Sequence, residues 1–191
     1  INQIVRSPGI YYKEDITKDG QSLHKATLIP NRGSWLNFGI HKKKLLHNEL
    51  YVSVDKTHEF NVAVFLAALG IDIKEIYSDI THPEFLKRYS VTFFKDTYEE
   101  IEPNSDRISP FKEFFDTRIF NPKYYSIGHV GRYKLNQKFN LNVPKTVTDL
   151  TYQDIVAIID HLINLEYKEG SLDDIDHLEN RRVRSVGELL Q

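Results

Sequence analysis

The apolar residues of this chain change their spacing about a third of the way along, and that change limits the folds open to it. Up to residue 55 they alternate. Leu50, Val52 and Val54 interleave with Tyr51, Ser53 and Asp55, the period of a half-buried strand. Residues 35–40 alternate in the same way, and residues 24–32 read as a strand running into Pro-Asn-Arg-Gly. Residues 41–49, with Lys42, Lys43 and Lys44, fit a hairpin loop. Residues 1–15 read as two short strands about Pro8-Gly9, a pair suited to the centre of a type II turn.

Beyond residue 60 the period lengthens. Residues 61–69 are apolar nearly all round and stop at Gly70, the pattern of a short buried helix. Residues 71–80 suggest a second short helix, broken at Thr81-His82-Pro83. Residues 84–102 are aromatic and charged and are expected to be helical in part, residues 103–110 form a loop, and residues 111–120 place Phe111, Phe114 and Phe115 on one helix side. Thr151 and Asp154 make a capping-box start. Ile155, Ile158, Ile159, Leu162 and Ile163 then recur at helical spacing, Gly170 marks the expected end, and His161 lies at the stripe's edge. A strand-rich first third followed by a mostly helical remainder predicts an α+β fold.

Composition bounds what such a fold does. With 191 residues the chain can form one domain that buries roughly 70% of its extended surface. At 27% charged and 40% hydrophobic it is globular in type. No apolar run reaches the ~20 residues of a membrane helix. There is no Cys, so disulfides and thiolate metal sites are excluded. The absence of Met and the opening on Ile1 fit a trimmed chain or an internal piece. A net charge of −2 means that any nucleic-acid contact is local or shared with other chains. No P-loop, GxGxxG, HExxH or GxSxG pattern occurs, which argues against a self-contained enzyme.

The chemistry-bearing stretch is residues 171–191. Acids and apolars alternate through Asp173, Asp174, Ile175, Asp176 and Glu179, and then Arg181, Arg182 and Arg184 follow within four positions. Two explanations fit. One is a solvated salt-bridge turn. The other is a site presenting guanidinium forks to phosphate or a base edge, with carboxylates bracing them. Trp35, the single tryptophan, is either a core or rim aromatic or a stacking platform. Arg132, Lys134 and Lys138 form a modest basic cluster that reads as a solvated helix face or a phosphate contact.

The string DIDHLENRRVRSVGELLQ resembles a signature of the β subunit of multisubunit RNA polymerase, bacterial or plastid type. QIVRSPGIYY, IPNRGSWLNF and NPKYYSIGHVGRYKLN are similar to further segments of that family. The sequence departs from the family at Glu179, where Gly is usual, at residues 103–110, and at Ser53, His58 and Glu59, where basic residues are common. The resemblance implies an RNA polymerase β lobe-like fragment. Residues 1–22 would lead in from the neighbouring region, residues 23–170 would form the lobe, and residues 171–191 would lead onward. It further implies one wall of the DNA cleft, beside downstream duplex and the non-template strand. Arg6, Trp35, Asp55, Ile175, Asp176 and Arg181 match positions of a pocket for an unpaired non-template base. Arg182, Arg184, Arg132 and Lys134 are expected as further DNA contacts.

In the roles the resemblance suggests, Trp35 stacks on a base and Asp176 accepts from a guanine edge. Arg181 and Arg6 supply forks, Asp55 braces an arginine and Ile175 is a packing wall. The implied partners are DNA, the β′, α and sigma subunits, and elongation or repair factors, with no membrane. The implied compartment is the bacterial cytoplasm or the plastid stroma. No cofactor is expected on this fragment. The resemblance places the aspartates that hold Mg for nucleotidyl transfer on β′. The alternative is a protein-docking module for transcription factors with little DNA contact of its own.

Overall fold

A computed structural model describes residues 3–42, 49–87, 91–94, 97–100, 103, 105–173 and 181–184; for 3–4, 91–94, 97–100 and 181–184 it describes the backbone. The centre is a five-stranded antiparallel meander in sequence order. Its strands are β2 (Gly9–Ile16), β3 (Ser22–Ile29), β4 (Leu36–His41), β5 (Glu49–Val54) and β6 (His58–Asn61). Alternation sets the register. Leu36, Phe38 and Ile40 face Val54, Val52 and Leu50 across the β4–β5 ladder, and all six are buried. The pairing of His41 with Glu49 confirms the expected hairpin.

Helices cover the apolar side of this sheet. Helix α1 (Val62–Ala68) is capped by Asn61, whose side chain accepts from the Ala63 amide. It ends where Gly70 takes φ 79 and the Ile71 amide reaches back to Leu66, as its apolar run and glycine predict. The second short helix expected within residues 71–80 is a 3₁₀ helix, Ile73–Asp79. Helix α2 (Pro83–Lys87) begins at the proline that was read as a breaker, because proline suits a first helical turn. Helix α3 (Ser109–Arg118) inserts Phe115 between Phe60 and Phe65, with ring centroids 4.9 and 5.1 Å away.

Helix α4 (Gly128–Phe139) packs on β2, and helix α5 (Tyr152–Glu166) crosses β3 and β4. The capping box of Thr151 and Asp154 is formed as expected. The five aliphatic residues of the α5 stripe are no more than 2% exposed. Each contributes about 1.5–3 kcal/mol of burial. The Tyr12 hydroxyl fixes the helix by donating to the Ile158 carbonyl at 2.9 Å.

Several expectations are corrected. Strand β1 (Gln3–Arg6) does not pair with β2 across Pro8-Gly9. It pairs with β9 (Arg181–Arg184), so the two ends of the chain form their own antiparallel ladder. Pro8 is a bend between two sheets, and Gly9 at φ 157 is outside the turn region. Residues 9–16 are the edge strand of the main sheet. Residues 84–102 are helical in part through α2, as expected, and past it β7 (Val91–Phe94) and β8 (Thr97–Glu100) pair as a hairpin. Helix α5 turns at Lys168, with φ 60, two residues before Gly170.

Candidate nucleic-acid interface

Trp35 is set by the loop before β4. The Asn31 and Arg32 amides donate to the Ser126 carbonyl at 2.9 and 3.1 Å, and the Ser126 amide returns a bond to Arg32 at 3.0 Å. Gly33 follows with φ 114, and a Cβ there would lie 2.6 Å from the Tyr125 ring. Only glycine fits that turn, which delivers Trp35 to the end of the sheet partly buried.

Asp55 reaches the same place from another hairpin. Leu36 opposes Val54, so the β5–β6 turn lies beside the start of β4. Asp55 and Lys56 have φ 52 and 64, and the Thr57 amide closes the turn on Val54. The Asp55 amide donates to the Trp35 carbonyl at 3.2 Å, and its carboxylate accepts from the Ser34 hydroxyl at 2.7 Å. An exposed carboxylate therefore sits one residue from the indole.

Arg6 completes the described part. Its guanidinium carbon lies 5.8 Å from the centre of the Trp35 ring, within cation–π range. In the β1–β9 ladder Arg6 is directly opposite Arg181, and Val5 is opposite Arg182. Residues 6, 35, 55 and 181 thus converge from four stretches of sequence. Ile175, Asp176 and Glu179 lie outside the described residues. For Arg181, Arg182 and Arg184 the strand alone is described.

Of the expected basic cluster on α4, Arg132 is corrected. Arg132 has no exposed surface. It grips Asp154 through two bonds of 2.7 Å, and donates to the Val147 and Asp149 carbonyls at 2.6 and 2.7 Å. A guanidinium so enclosed offers DNA nothing. Lys134 is partly buried and donates to the Tyr11 hydroxyl at 3.2 Å. Lys138 donates to the Ile10 carbonyl and to Asp173, both at 2.6 Å. Burial lowers the pKa of Lys138, and Asp173 pulls it back up. Lys42, in the expected lysine loop, binds Glu166 at 3.5 Å, and Lys43 and Lys44 lie outside the described residues.

Sequence reasoning missed two positioning groups. Ser34 holds Asp55 and Gly33 aims Trp35; the signal for the second was a glycine two residues before a lone tryptophan. Among the described residues no group of three or more His, Asp or Glu is placed to hold a metal ion.

Comparison with known proteins bears on this arrangement. The sequence profile of the family RNA polymerase Rpb2, domain 2, matches residues 6–184. The chain is 46% identical over 200 residues to the DNA-directed RNA polymerase subunit beta of Trichormus variabilis, covering 100% of the chain and 18% of that protein. The corresponding protein of Thermosynechococcus vestitus is 47% identical over 203 residues, and that of Porphyra purpurea 46% over 215, with the same coverage of 100% and 18%. The chain therefore spans about 18% of the length of these relatives. The profile runs from Arg6 through Trp35 and Asp55 to β9, the segments that converge at one end of the sheet, and the chain belongs to the RNA polymerase Rpb2, domain 2, family.

Proposed function

We propose that this chain is a DNA-contacting part of the β subunit of DNA-directed RNA polymerase, forming a wall of the DNA cleft and holding one unpaired non-template base beside Trp35. The observation that carries the reading is the convergence of Arg6, Trp35, Asp55 and Arg181 from four separate segments. An aromatic face edged by a carboxylate and arginines suits a base. The indole supplies stacking, the acid accepts amine protons, and the forks meet acceptors or phosphate. Ile175 and Asp176 complete the pocket in this reading, with Asp176 on the guanine edge. Arg182 and Arg184 approach the backbone phosphates. Catalytic Mg and the aspartates that hold it belong to β′. The β′, α and sigma subunits, downstream duplex, and elongation or repair factors are the partners, in bacterial cytoplasm or plastid stroma.

The test uses the full-length subunit in its assembled enzyme and a bubble template carrying each base in turn at one non-template position. Trp35→Ala should weaken binding by about 1–3 kcal/mol, the worth of one base–aromatic stack. Asp176→Ala should erase the preference for guanine while leaving the other bases bound as before, because base contacts specify and phosphate contacts position. Arg182→Ala should weaken all four templates alike and flatten the salt dependence. Equal loss on every base from Asp176→Ala, with Trp35→Ala silent, defeats the pocket and leaves a docking module.

A further inference from the structure

Helices α1, α3 and α5 border a groove of about 400 Å³. Ala68, Leu69 and Ile71 line it from the end of α1, Leu150 and Ile155 from the start of α5, and Phe120 from just past α3. All six are apolar, and Leu69, Ile71 and Phe120 keep part of their surface open. The close of α1 holds the first wall in place. The Gly70 amide donates to the Ala67 carbonyl and the Ile71 amide to the Leu66 carbonyl, both at 2.9 Å. A Cβ placed on Gly70 would meet nothing within 4 Å, so the groove is open above that turn.

Two charges edge this apolar lining. Lys112 and Asp116 belong to α3, stand one turn apart, and are both exposed. The lysine comes first, which is the less favoured order for a pair within one helix. Among the described residues neither forms an ion pair. Tyr152, also in the lining, is already committed, since its hydroxyl donates to Asp79 at 2.7 Å. No lining side chain holds a buried polar atom without a partner, the kind of group that fixes a small ligand. A phosphate backbone would meet two carboxylates, Asp116 and Asp79, against one lysine. An apolar trough with one cation and one anion on its rim is the counterpart of an amphipathic helix.

We propose that this groove docks an amphipathic helix of a separate, dissociable protein, whose apolar stripe enters the groove and whose acid and base, four residues apart, meet Lys112 and Asp116. An acid placed before a base is the order a helix favours, and it matches these two charges when the incoming helix runs parallel to α3. Nothing in this docking depends on the base pocket, and no residue of the Trp35 group lines the groove.

The probe is a designed peptide of about 20 residues, above the length at which isolated helices are marginal. It carries leucines at helical spacing, with Glu four residues before Lys beside that stripe, and a second peptide exchanges the two charges. Each is titrated by fluorescence anisotropy into the assembled enzyme with the wild-type subunit, with Asp116→Lys, or with Lys112→Glu and Asp116→Lys together. The first peptide should bind the wild type about fivefold tighter than the second, and Asp116→Lys should weaken the first by about fivefold. The double variant should reverse the preference. Both side chains are exposed, so these changes leave the fold intact. Trp35→Ala should leave every one of these affinities as it was. Absence of binding by both peptides, or affinities that ignore the charge variants, overturns the groove. Displacement of the first peptide by a bubble template overturns it also, since the surface would then belong to nucleic acid.

Discussion

The arginine that most shapes this molecule never meets solvent. Taking a guanidinium out of water costs several kcal/mol, and Arg132 recovers that through Asp154, two backbone carbonyls and a longer bond to the Asn136 side-chain oxygen. Asp154 serves twice, because the same carboxylate accepts the Thr151 amide at 2.8 Å and caps α5. Asp154→Ala should therefore destabilise the chain by about 3–5 kcal/mol, leaving a buried charge alone and a helix start uncapped. Replacing both partners with leucine should cost less than the sum of the single changes, measured by denaturant unfolding. The spacing of the sequence already contained the warning. Lys134 and Lys138 are four apart and share a helix face, but Arg132 and Lys134 are two apart and do not. What spacing cannot supply is the identity of the buried partner, 22 residues away.

At the scale of elements, the ends of α5 were read unevenly. Thr151 and Asp154 announced the start, because a capping box is local chemistry. The stop was misplaced at Gly170 because Lys168 occupies the left-handed position that glycine normally takes, with the Glu169 amide reaching back to Asn164 at 2.9 Å. Lys168→Gly should raise stability by about 0.5–1 kcal/mol, seen as a melting rise of a few degrees. The β7–β8 hairpin was misread for a different reason. Val91, Thr92, Phe93 and Phe94 carry strand propensity, which the charges around them obscured.

The loop before α2 carries a titrating contact. His82 stacks on Tyr167 at 3.8 Å and binds both Glu169, at 3.1 Å, and Glu84, at 3.3 Å. The Glu169 bond is the main cause of the raised His82 pKa, and Glu84 adds to it. A raised histidine pKa favours the charged form in the fold. Its stabilisation is complete below the ordinary value near 6.5 and disappears as pH climbs through the raised one. Glu84 is lowered, chiefly by its backbone bond, so its share is present above the ordinary value near 4.5 and fades as pH falls through the lowered one. Denaturant midpoints measured from pH 5 to about 8 should fall for the wild-type chain and stay flatter for His82→Gln. Equal slopes would remove His82 from the linkage.

At the scale of the whole molecule, the alternation and the helical stripe made the meander and α5 legible, because each is written in neighbours. The ladder between β1 and β9 was not. It pairs Ile4 with Val183, 179 positions further along the chain, and no local period encodes such a partner. Only the family resemblance had placed Arg6 and Arg181 in one site. Their pairing has a consequence. Like charges directly opposite across two strands repel, which weakens this ladder. A bound single strand removes that repulsion, and the gain should appear as slower amide exchange. We expect the Val5 and Val183 amides to gain protection on adding a single-stranded oligonucleotide, while Leu28 and Val52 in the central sheet stay as they were. Arg6→Gln should raise protection in the free chain and shrink the further gain on binding. A uniform increase across both sheets would mean that the oligonucleotide compacts the fold generally, and that the paired arginines are not where it acts.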